Sequence, residues 1–406
     1  MASPCASCPR FAAAIFAGTL ALPGASVAAQ DTAPVKIASN PSGSSYVNLS
    51  LDALFAGGTS SVTDIGTLEG GGHDPSQRGF TVQGIETVLD GAVDPYFRGQ
   101  ANVVLQLTPD GETNVELEEA HATTTSLPHN LQVKVGQFLS EFGRVNPTHP
   151  HTWDFVDQSL VSVRMFGGDG LRSAGVRLSW LMPAPFYSEL FLSAQNGHGE
   201  TLTSFGSVQG ETVFGRPIEE TAVESAGDLL YVPRYAASFD LTSNQTLLVG
   251  ASAAAGPNGT GPDGRTTIWG IDAFWKWKAS NADRGFPFVK LQAEAMRRSY
   301  DAAAIGDLPA TRYEDWGAFG QATWGFRPRW VLGARYDRVA GDIGDLPGDP
   351  LHEPRWRASA EVTFYATEFS KLRFQYSHDA RQSSEDADSF WLQLEFLLGA
   401  HAAHKF

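Results

Sequence analysis

The amino-acid sequence predicts an all-β fold, a transmembrane antiparallel β-barrel of about 16 strands with long external loops and short periplasmic turns. Aromatic residues stand eight positions apart in three alternating segments, as the pairs Trp269 and Trp277, Trp316 and Trp324, and Trp356 and Phe364. Eight strand residues cover roughly 26 Å, which in a tilted strand matches an apolar band of about 25 Å between two aromatic girdles. Between each pair, one parity is mostly apolar or small and the other mostly polar. These strands are expected to face lipid on one side and water on the other. Apolar and polar residues also alternate in the strands of a soluble β-sandwich, but that fold does not explain why the aromatic pairs repeat the same spacing of eight residues.

The lengths of the connections give a second observation. Tight connections fall at 91–94 and 326–328, whereas most of the intervening ones, such as 56–78 and 139–170, are long and rich in Gly, Pro, Asp and Ser. Short periplasmic turns alternate with long external loops in outer-membrane barrels in this way. Because the strand pattern runs on without a linker, residues 46–406 are expected to form one barrel.

The N-terminal segment is the third observation. Arg10 is followed by an apolar stretch and then by small residues that end at Ala29, which is typical of a secretory signal peptide over residues 1–29. Residues 30–45 would then be a short periplasmic segment before the barrel. Both cysteines lie in the leader, so no disulfide is expected in the processed protein. We expect the protein to lie in the bacterial outer membrane after cleavage.

The charge balance excludes one class of partner. The chain carries 29 basic and 45 acidic side chains, a formal net charge of −16. A chain of this sign has no general affinity for nucleic acid, whose phosphates attract basic proteins.

A barrel lipase would need a serine beside a histidine near the lipid face, where the sequence places apolar residues. We therefore expect neither an enzymatic activity nor a cofactor.

Charged residues of both signs occupy the parity that is expected to face the lumen. Guanidinium groups along one wall would lower the barrier for an anion, whereas paired charges on opposite walls would hold water and set a transverse field. The sequence leaves both alternatives open. The predicted pore-lining residues are Arg98, Lys134, Arg177, Lys276, Lys290, Arg298, Arg335, Arg355, Arg357, Arg373, Glu361 and Glu395.

The external segment 139–170 combines two histidines with two carboxylates. His149 and His151 lie close in sequence to Asp154 and Asp157, and histidine and carboxylate donors could ligate a divalent metal ion. In a constriction, the histidines could also make conductance respond to pH. The alternative is a structural loop anchor, in which this cluster hydrogen-bonds to the barrel wall.

Two parts of the chain resemble known families. Residues 134–138 (KVGQF) followed by 142–146 (FGRVN) resemble the segment that enters the third external loop in the phosphate-selective porin superfamily. The C-terminal residues 396–401 (FLLGAH), with His404 and Phe406, are similar to a group of barrels often labelled zinc-regulated TonB-dependent outer-membrane receptors. Such a receptor has a plug domain before its barrel, and the predicted periplasmic segment is too short for one. We therefore expect a barrel without a plug.

The resemblance to the porin superfamily implies a trimeric diffusion porin of about sixteen strands, whose third external loop, here 139–170, folds into the lumen. Phosphate specificity is not expected, because this loop has two arginines and no lysine. The terminal Phe406 would serve as the recognition signal for the barrel-assembly machinery. The constriction-loop residues would be Arg144, His149, His151, Asp154, Asp157 and Arg164.

These features predict an outer-membrane porin that allows passive diffusion of small hydrophilic solutes or ions, with a mild preference for anions. Two alternatives stay open: a metal-related (zinc-related) outer-membrane uptake protein, and a loop-filled structural or interaction barrel. The expected partners are outer-membrane lipid and lipopolysaccharide, the barrel-assembly machinery, and further copies of the chain in a homotrimer.

Overall fold

The strands form a closed antiparallel barrel, as the sequence predicts. The computed structural model describes residues 35–68, 70–199, 201–206, 210, 212–219, 222–341, 353–382 and 384–399. The predicted signal peptide, residues 30–34 and Phe406 lie outside the described residues.

A short strand precedes the barrel, and one small hairpin, β9 and β10, interrupts the run of barrel strands. In chain order the strands are β1 Val35–Ser39, β2 Tyr46–Ser60, β3 Gly79–Ala92, β4 Phe97–Leu107, β5 Thr113–Thr124, β6 Leu131–Leu139, β7 Arg172–Leu181, β8 Tyr187–Asn196, β9 Thr212–Val213, β10 Arg216–Pro217, β11 Leu229–Thr242, β12 Gln245–Pro257, β13 Arg265–Asp283, β14 Phe286–Ala302, β15 Thr311–Arg327, β16 Trp330–Gly341, β17 Arg355–Thr367, β18 Ser370–Arg381 and β19 Ala387–Leu398. The helical elements described are the α-helix α1 Leu160–Phe166 and 3₁₀ turns at Ile65–Leu68, Pro128–Asn130, Pro150–Thr152 and Ala226–Asp228.

Pairing between neighbours closes the sheet. Barrel strands pair in chain order, and β8 pairs with β11 across the β9–β10 hairpin. The last strand, β19, pairs with β2, with Leu398 opposite Leu51, which completes a ring of sixteen strands. Closure leaves no free strand edge in the ring to be satisfied in lipid. β1 pairs with the N-terminal end of β2, with Val35 opposite Leu49. Part of the predicted periplasmic segment 30–45 therefore extends the wall.

Alternation along the strands separates the outer face from the lumen. In β13, Trp269 is 63% exposed and Ile271 is 65% exposed, whereas Ile268 and Asp272 are buried. Such outward apolar and inward polar side chains match a wall with lipid outside. The described residues contain no helix that is long and apolar enough to cross a membrane.

Short turns lie at one end of the barrel and long loops at the other. The turns include 93–96 and 243–244. In three of the opposite connections, L1 (61–78), L3 (140–171) and L4 (197–228), described residues pack inside the barrel. The predicted alternation of turns and loops is confirmed.

A hydrophobic core lies inside the barrel, where these loops meet the wall. Helix α1 of L3 and part of L4 pack against inward-facing residues of β13 to β16. Gly317 on β15 allows this close approach, because a Cβ there would lie 2.7 Å from Val161 and 2.8 Å from Val339. The buried cluster includes Leu160, Val161, Met165, Phe166, Phe205, Ile268, Met296, Phe319 and Val339.

L1 packs into the lumen through a second cluster. Ile65 and Leu68 of L1 contact the buried Val156 of L3, together with Trp391 of β19. L1, L3 and L4 therefore narrow the lumen on the side of the long loops.

Candidate functional site

The first limb of L3 is held by a wall carboxylate. The backbone N–H groups of Arg144 and Val145 both donate to one oxygen of Glu294 on β14, each at 2.8 Å. The Phe142 ring packs on Gly270 of β13, where a Cβ would lie 2.5 Å from the ring. The sequence 142–146 that resembles a porin loop entry therefore bends into the lumen.

His149 lies at the centre of a carboxylate cluster. Its Nδ1 lies 2.9 Å from Glu118 and 3.3 Å from Glu86, and its Nε2 lies 3.0 Å from Glu119. Burial disfavours the charged ring, yet Glu86 and Glu118 raise the pKa of His149 well above its usual value. His149 thus connects L3 to carboxylates of β3 and β5.

A β-bulge explains how two consecutive carboxylates reach this ring. Between β4 and β5, Asn102 pairs with Glu119 but Val103 pairs with Leu117, so Glu118 is the extra residue. A bulge breaks the strict alternation of a strand. Both Glu118 and Glu119 are therefore buried on the lumen side.

His151 contacts a second pair of wall carboxylates. Its Nδ1 lies 3.1 Å from Asp52 on β2 and 3.1 Å from Glu86 on β3. Burial works against the charge, but Asp52 and Glu86 raise the pKa of His151 to about 9. The Lys371 ammonium donates to the His151 carbonyl at 2.9 Å.

Asp154 and Asp157 point to other parts of the wall. Asp154 lies 2.5 Å from the Lys290 ammonium and 3.3 Å from Gln321. Asp157 accepts from Arg335 and Arg357, each at 2.8 Å. The two loop histidines therefore do not share a site with the two loop aspartates, and their partners come from the wall.

The ionised form of the Asp157 side chain is favoured. Burial alone would raise its pKa, but the guanidinium groups of Arg335 and Arg357 lower the pKa of Asp157 below its usual value. Gln375 donates to the same carboxylate at 2.7 Å. This carboxylate fixes the middle of L3 to β16, β17 and β18.

The remaining part of L3, which contains α1, is held by an N-cap and by hydrogen bonds to residues outside the loop. Ser159 is the N-cap of α1, and the Leu160 N–H donates to Asp337 at 3.1 Å. Arg164 donates to the Glu353 carbonyl at 3.1 Å, and its own carbonyl accepts from Arg298 at 3.2 Å.

The predicted arginine wall serves mainly to hold loops and neighbouring carboxylates. Arg373 donates to the carbonyls of Trp153 and Phe155, at 2.8 and 3.2 Å. Arg355 and Arg357 share Asp379 and both donate to the Leu68 carbonyl of L1. The described carboxylate partners of Arg335, Arg355 and Arg357 lie on the same or a neighbouring strand, or in L3, and not on an opposite wall.

The other predicted wall residues have local partners. Arg298 binds Asp315 at 2.7 Å, Arg177 binds Glu141, and Glu395 binds Lys371 at 2.6 Å. Glu361 accepts from Thr363 at 2.5 Å. Arg98 is 56% exposed at the short-turn end, 3.5 Å from the Tyr46 hydroxyl.

Two cavities lie beside L3. One, of about 440 Å³, has four basic and two acidic side chains in its lining, namely Arg144, Lys276, Lys290, Arg335, Asp154 and Asp157. The other, of about 300 Å³, also has four basic and two acidic side chains, namely Lys134, Arg144, Arg177, Arg234, Glu119 and Glu141, with His121 and His149 beside them. Arg144 lines both, and its guanidinium lies 4.0 Å above the centre of the Phe274 ring. The accessible space along L3 therefore has an excess of positive side chains in its lining.

The closed barrel with an inward-folded third loop has the fold of outer-membrane porin-type barrels. The outer membrane channel DcaP of Acinetobacter baumannii has this fold, with a TM-score of 0.60 and 14% sequence identity over 89% of this chain and 99% of that one. A high-pH structure of Pseudomonas putida OprB gives 0.54 and 13% over 87% and 94%. An anion-selective porin from Comamonas acidovorans gives 0.52 and 7% over 87% and 100%. At these identities the likeness shows the fold, and it gives no support to the receptor resemblance of the C-terminal segment.

The chain is also similar in sequence to an uncharacterised protein of Aquifex aeolicus (strain VF5). The two are 32% identical over 397 residues, which cover 89% of this chain and 79% of that protein. The chain therefore belongs to the same family as this relative. No family model matches it.

Several site residues are not evident from the sequence pattern. Asp52 and Glu86 lie in predicted strands, at positions whose side chains are expected to face the lumen. This alternation is the signal in the sequence that could have identified them. Glu119 was hidden because the bulge changes the parity after Glu118. His73 of L1, 3.4 Å from Glu118, had no sequence signal.

Proposed function

We propose that the protein is an outer-membrane porin that lets small hydrophilic solutes diffuse passively past L3, with a mild preference for anions. The observation that carries this proposal is the pair of cavities beside L3, inside a closed barrel, each with an excess of basic side chains. Charged groups that line a narrow passage bias which ions enter it. Because most wall arginines are neutralised by carboxylates, the preference should be modest.

Three of the four basic side chains that line the larger of these two cavities come from β13, β14 and the first limb of L3. Lys276 and Lys290 lie opposite each other on β13 and β14, and Asp154 lies 2.5 Å from the Lys290 ammonium. Arg144 adds a third positive group, which lies over the Phe274 ring. Lys276 and Arg144 are therefore the residues that we expect to set the sign of the selectivity.

The reversal potential in a salt gradient tests this assignment. Wild-type protein in planar bilayers should give a reversal potential of the sign that favours chloride over potassium. Lys276→Gln and Arg144→Gln should each move this potential toward zero. Lys36→Gln on β1 removes the same charge from a residue that lines neither cavity, and should leave it unchanged. A wild-type potential of the opposite sign, or equal shifts in all three variants, would contradict the anion preference.

The proposal extends to assembly and partners. We propose that residues 1–29 are removed, that outer-membrane lipid and lipopolysaccharide contact the apolar outer face, and that the barrel-assembly machinery recognises Phe406. A homotrimer is also proposed, and one similar barrel, OmpT of Vibrio cholerae, is known in a trimer form. The mass of the mature chain and the molar mass of the detergent-extracted particle, corrected for detergent, test the first and last of these points.

A further inference from the structure

The cluster around His149 and His151 contains two sets of three side chains that could hold a metal ion, and both sets include Glu86. One set comes from Asp52, Glu86 and His151, and the other from Glu86, Glu118 and His149, with the ligand atoms of each set within 4.8 Å of one another. All five side chains are buried. The donors come from β2, β3, β5 and L3, so barrel closure and loop folding bring them together.

Glu86 stands between the two sets. One of its carboxylate oxygens lies 3.3 Å from His149 Nδ1, and the other lies 3.1 Å from His151 Nδ1. The two imidazole rings are parallel to within 6°, with centroids 5.9 Å apart. A carboxylate that offers one oxygen to each side can bridge two ions, which in two-metal sites lie about 3.5–4 Å apart.

The charge of the cluster also calls for cations. Four carboxylates, Asp52, Glu86, Glu118 and Glu119, are buried here. The histidines that contact them most closely are His73, His149 and His151. Lys134 and Lys371 also act electrostatically on Glu119 and Asp52. Buried carboxylates in such a group are stable only with positive charge beside them, whether from protonated rings, ammonium groups or metal ions.

One buried oxygen has no partner. The Asp52 side chain is 2% exposed, and its Oδ1 accepts no hydrogen bond from the residues that the structure describes. The other oxygen, Oδ2, lies 3.1 Å from His151 Nδ1. A buried acceptor left unsatisfied costs free energy, and a cation bound beside His151 would satisfy it.

Glu119 occupies the position of a supporting carboxylate. It contacts the Nε2 of His149, at 3.0 Å, while the Nδ1 of the same ring faces Glu118 and Glu86. Histidines that ligate metals commonly donate their second ring N–H to a carboxylate, which orients the ring. The bulge at Glu118 thus supplies both a ligand and the group that orients another ligand.

We propose that this cluster binds two divalent metal ions of the zinc class, bridged by Glu86. His149 and Glu118 coordinate one ion, and His151 and Asp52 coordinate the other. Imidazole and carboxylate donors suit Zn²⁺ and neighbouring transition metals, and water completes the four ligands of each ion. The ions fasten L3 to the wall, and this role does not depend on the solute that passes the pore.

Zinc uptake by the mature chain tests the proposal. Detergent-purified protein is stripped with a chelator, incubated with Zn²⁺ and desalted, and its zinc is counted by mass spectrometry. We expect two zinc ions per wild-type chain, one in Asp52→Asn, and at least a tenfold weaker affinity in Glu86→Gln. Glu119→Gln should weaken binding roughly 10- to 100-fold and alter the visible spectrum of bound Co²⁺. His378→Asn, which changes a histidine 2.9 Å from Asp388 outside the cluster, is the matched control and should bind like the wild type.

The mobility of unheated protein in gels shows that each variant is folded, and only folded variants are compared. Fewer than two zinc ions per folded wild-type chain would overturn the proposal. Equal uptake by the wild type, Asp52→Asn, Glu86→Gln and His378→Asn would also overturn it, and would leave protons as the cations that bridge the histidines and carboxylates.

Discussion

Asp157 in L3 lies 2.8 Å from the guanidinium of Arg335 on β16. The backbone carbonyl of Asp157 accepts from the same guanidinium, also at 2.8 Å. Arg335 reaches Asp337 on its own strand at 2.8 Å, and Arg357 binds Asp157 from β17. A loop residue and the wall therefore share one buried network of alternating charges.

Removal of the Asp157 charge should destabilise the protein strongly. In Asp157→Asn, Arg335 and Arg357 lose a shared counter-charge in a buried setting, and breaking a buried pair costs about 3–5 kcal/mol. We expect a loss of about 3 kcal/mol in the free energy of unfolding, since Asp337 and Asp379 still partner the arginines, and faster proteolysis of L3. The measurement is denaturant unfolding in detergent, with limited proteolysis.

The control is Asp301→Asn, which removes the same charge from the exposed pair with Arg312. Exposed pairs contribute little, so its unfolding should match the wild type. If both variants unfold alike, the buried network does not hold L3.

Gly317 should be sensitive to the smallest enlargement. Gly317→Ala puts a Cβ within 3 Å of Val161 and Val339, and overpacking of a core typically costs about 1–3 kcal/mol. Gly320→Ala on the same strand meets nothing within 4 Å, so its free energy of unfolding should not fall. Equal stability of the two variants would show that α1 does not pack on β15 in this way.

Asp74 gives the contact between L1 and L3 a pH dependence, because its carboxylate accepts from the Gln158 N–H of L3 at 3.0 Å. Burial, and then the charge of Asp157, raise the pKa of Asp74 to about 6, whereas an unfolded aspartate titrates near 4. The folded state thus holds this proton more tightly, so the contribution of Asp74 to stability falls as the pH rises from about 4 to about 6. Asp157, whose pKa is lowered, acts in the opposite direction below about pH 4.

The unfolding midpoint as a function of pH tests this window. Asp74→Asn should remove part of the fall in stability between pH 4 and pH 6 that the wild type shows. Asp64→Asn, in the exposed part of L1 where Asp64 caps Gly66, should keep the wild-type profile. Superimposable slopes in the wild type and Asp74→Asn would contradict the assignment.

Much of the fold could be predicted because the membrane imposes a simple pattern. The spacing from Trp269 to Trp277 reports the thickness of the apolar band, and turn and loop lengths report the two ends of the barrel. The interior of L3 was harder, because the apolar run that forms α1 buries its side chains against L4 and the wall. Such contacts depend on which strands lie opposite, and no local pattern encodes this.

The sequence identified several residues of the site, but it did not show which residues of the wall they contact. His149, His151, Asp154 and Asp157 were identified in one loop, but each contacts a different section of the wall or a different set of partners. The sequence also could not show that Glu119 faces inward, because a bulge is a property of the pairing between two strands.

Single-channel conductance in planar bilayers tests the central claim most directly, namely that a water-filled path passes L3. The wild-type protein should give a steady open level, and Asp157→Asn, which loosens L3, should give a larger or noisier one. A folded wild-type barrel without any steady open level would contradict the porin function and would favour a barrel filled by its own loops.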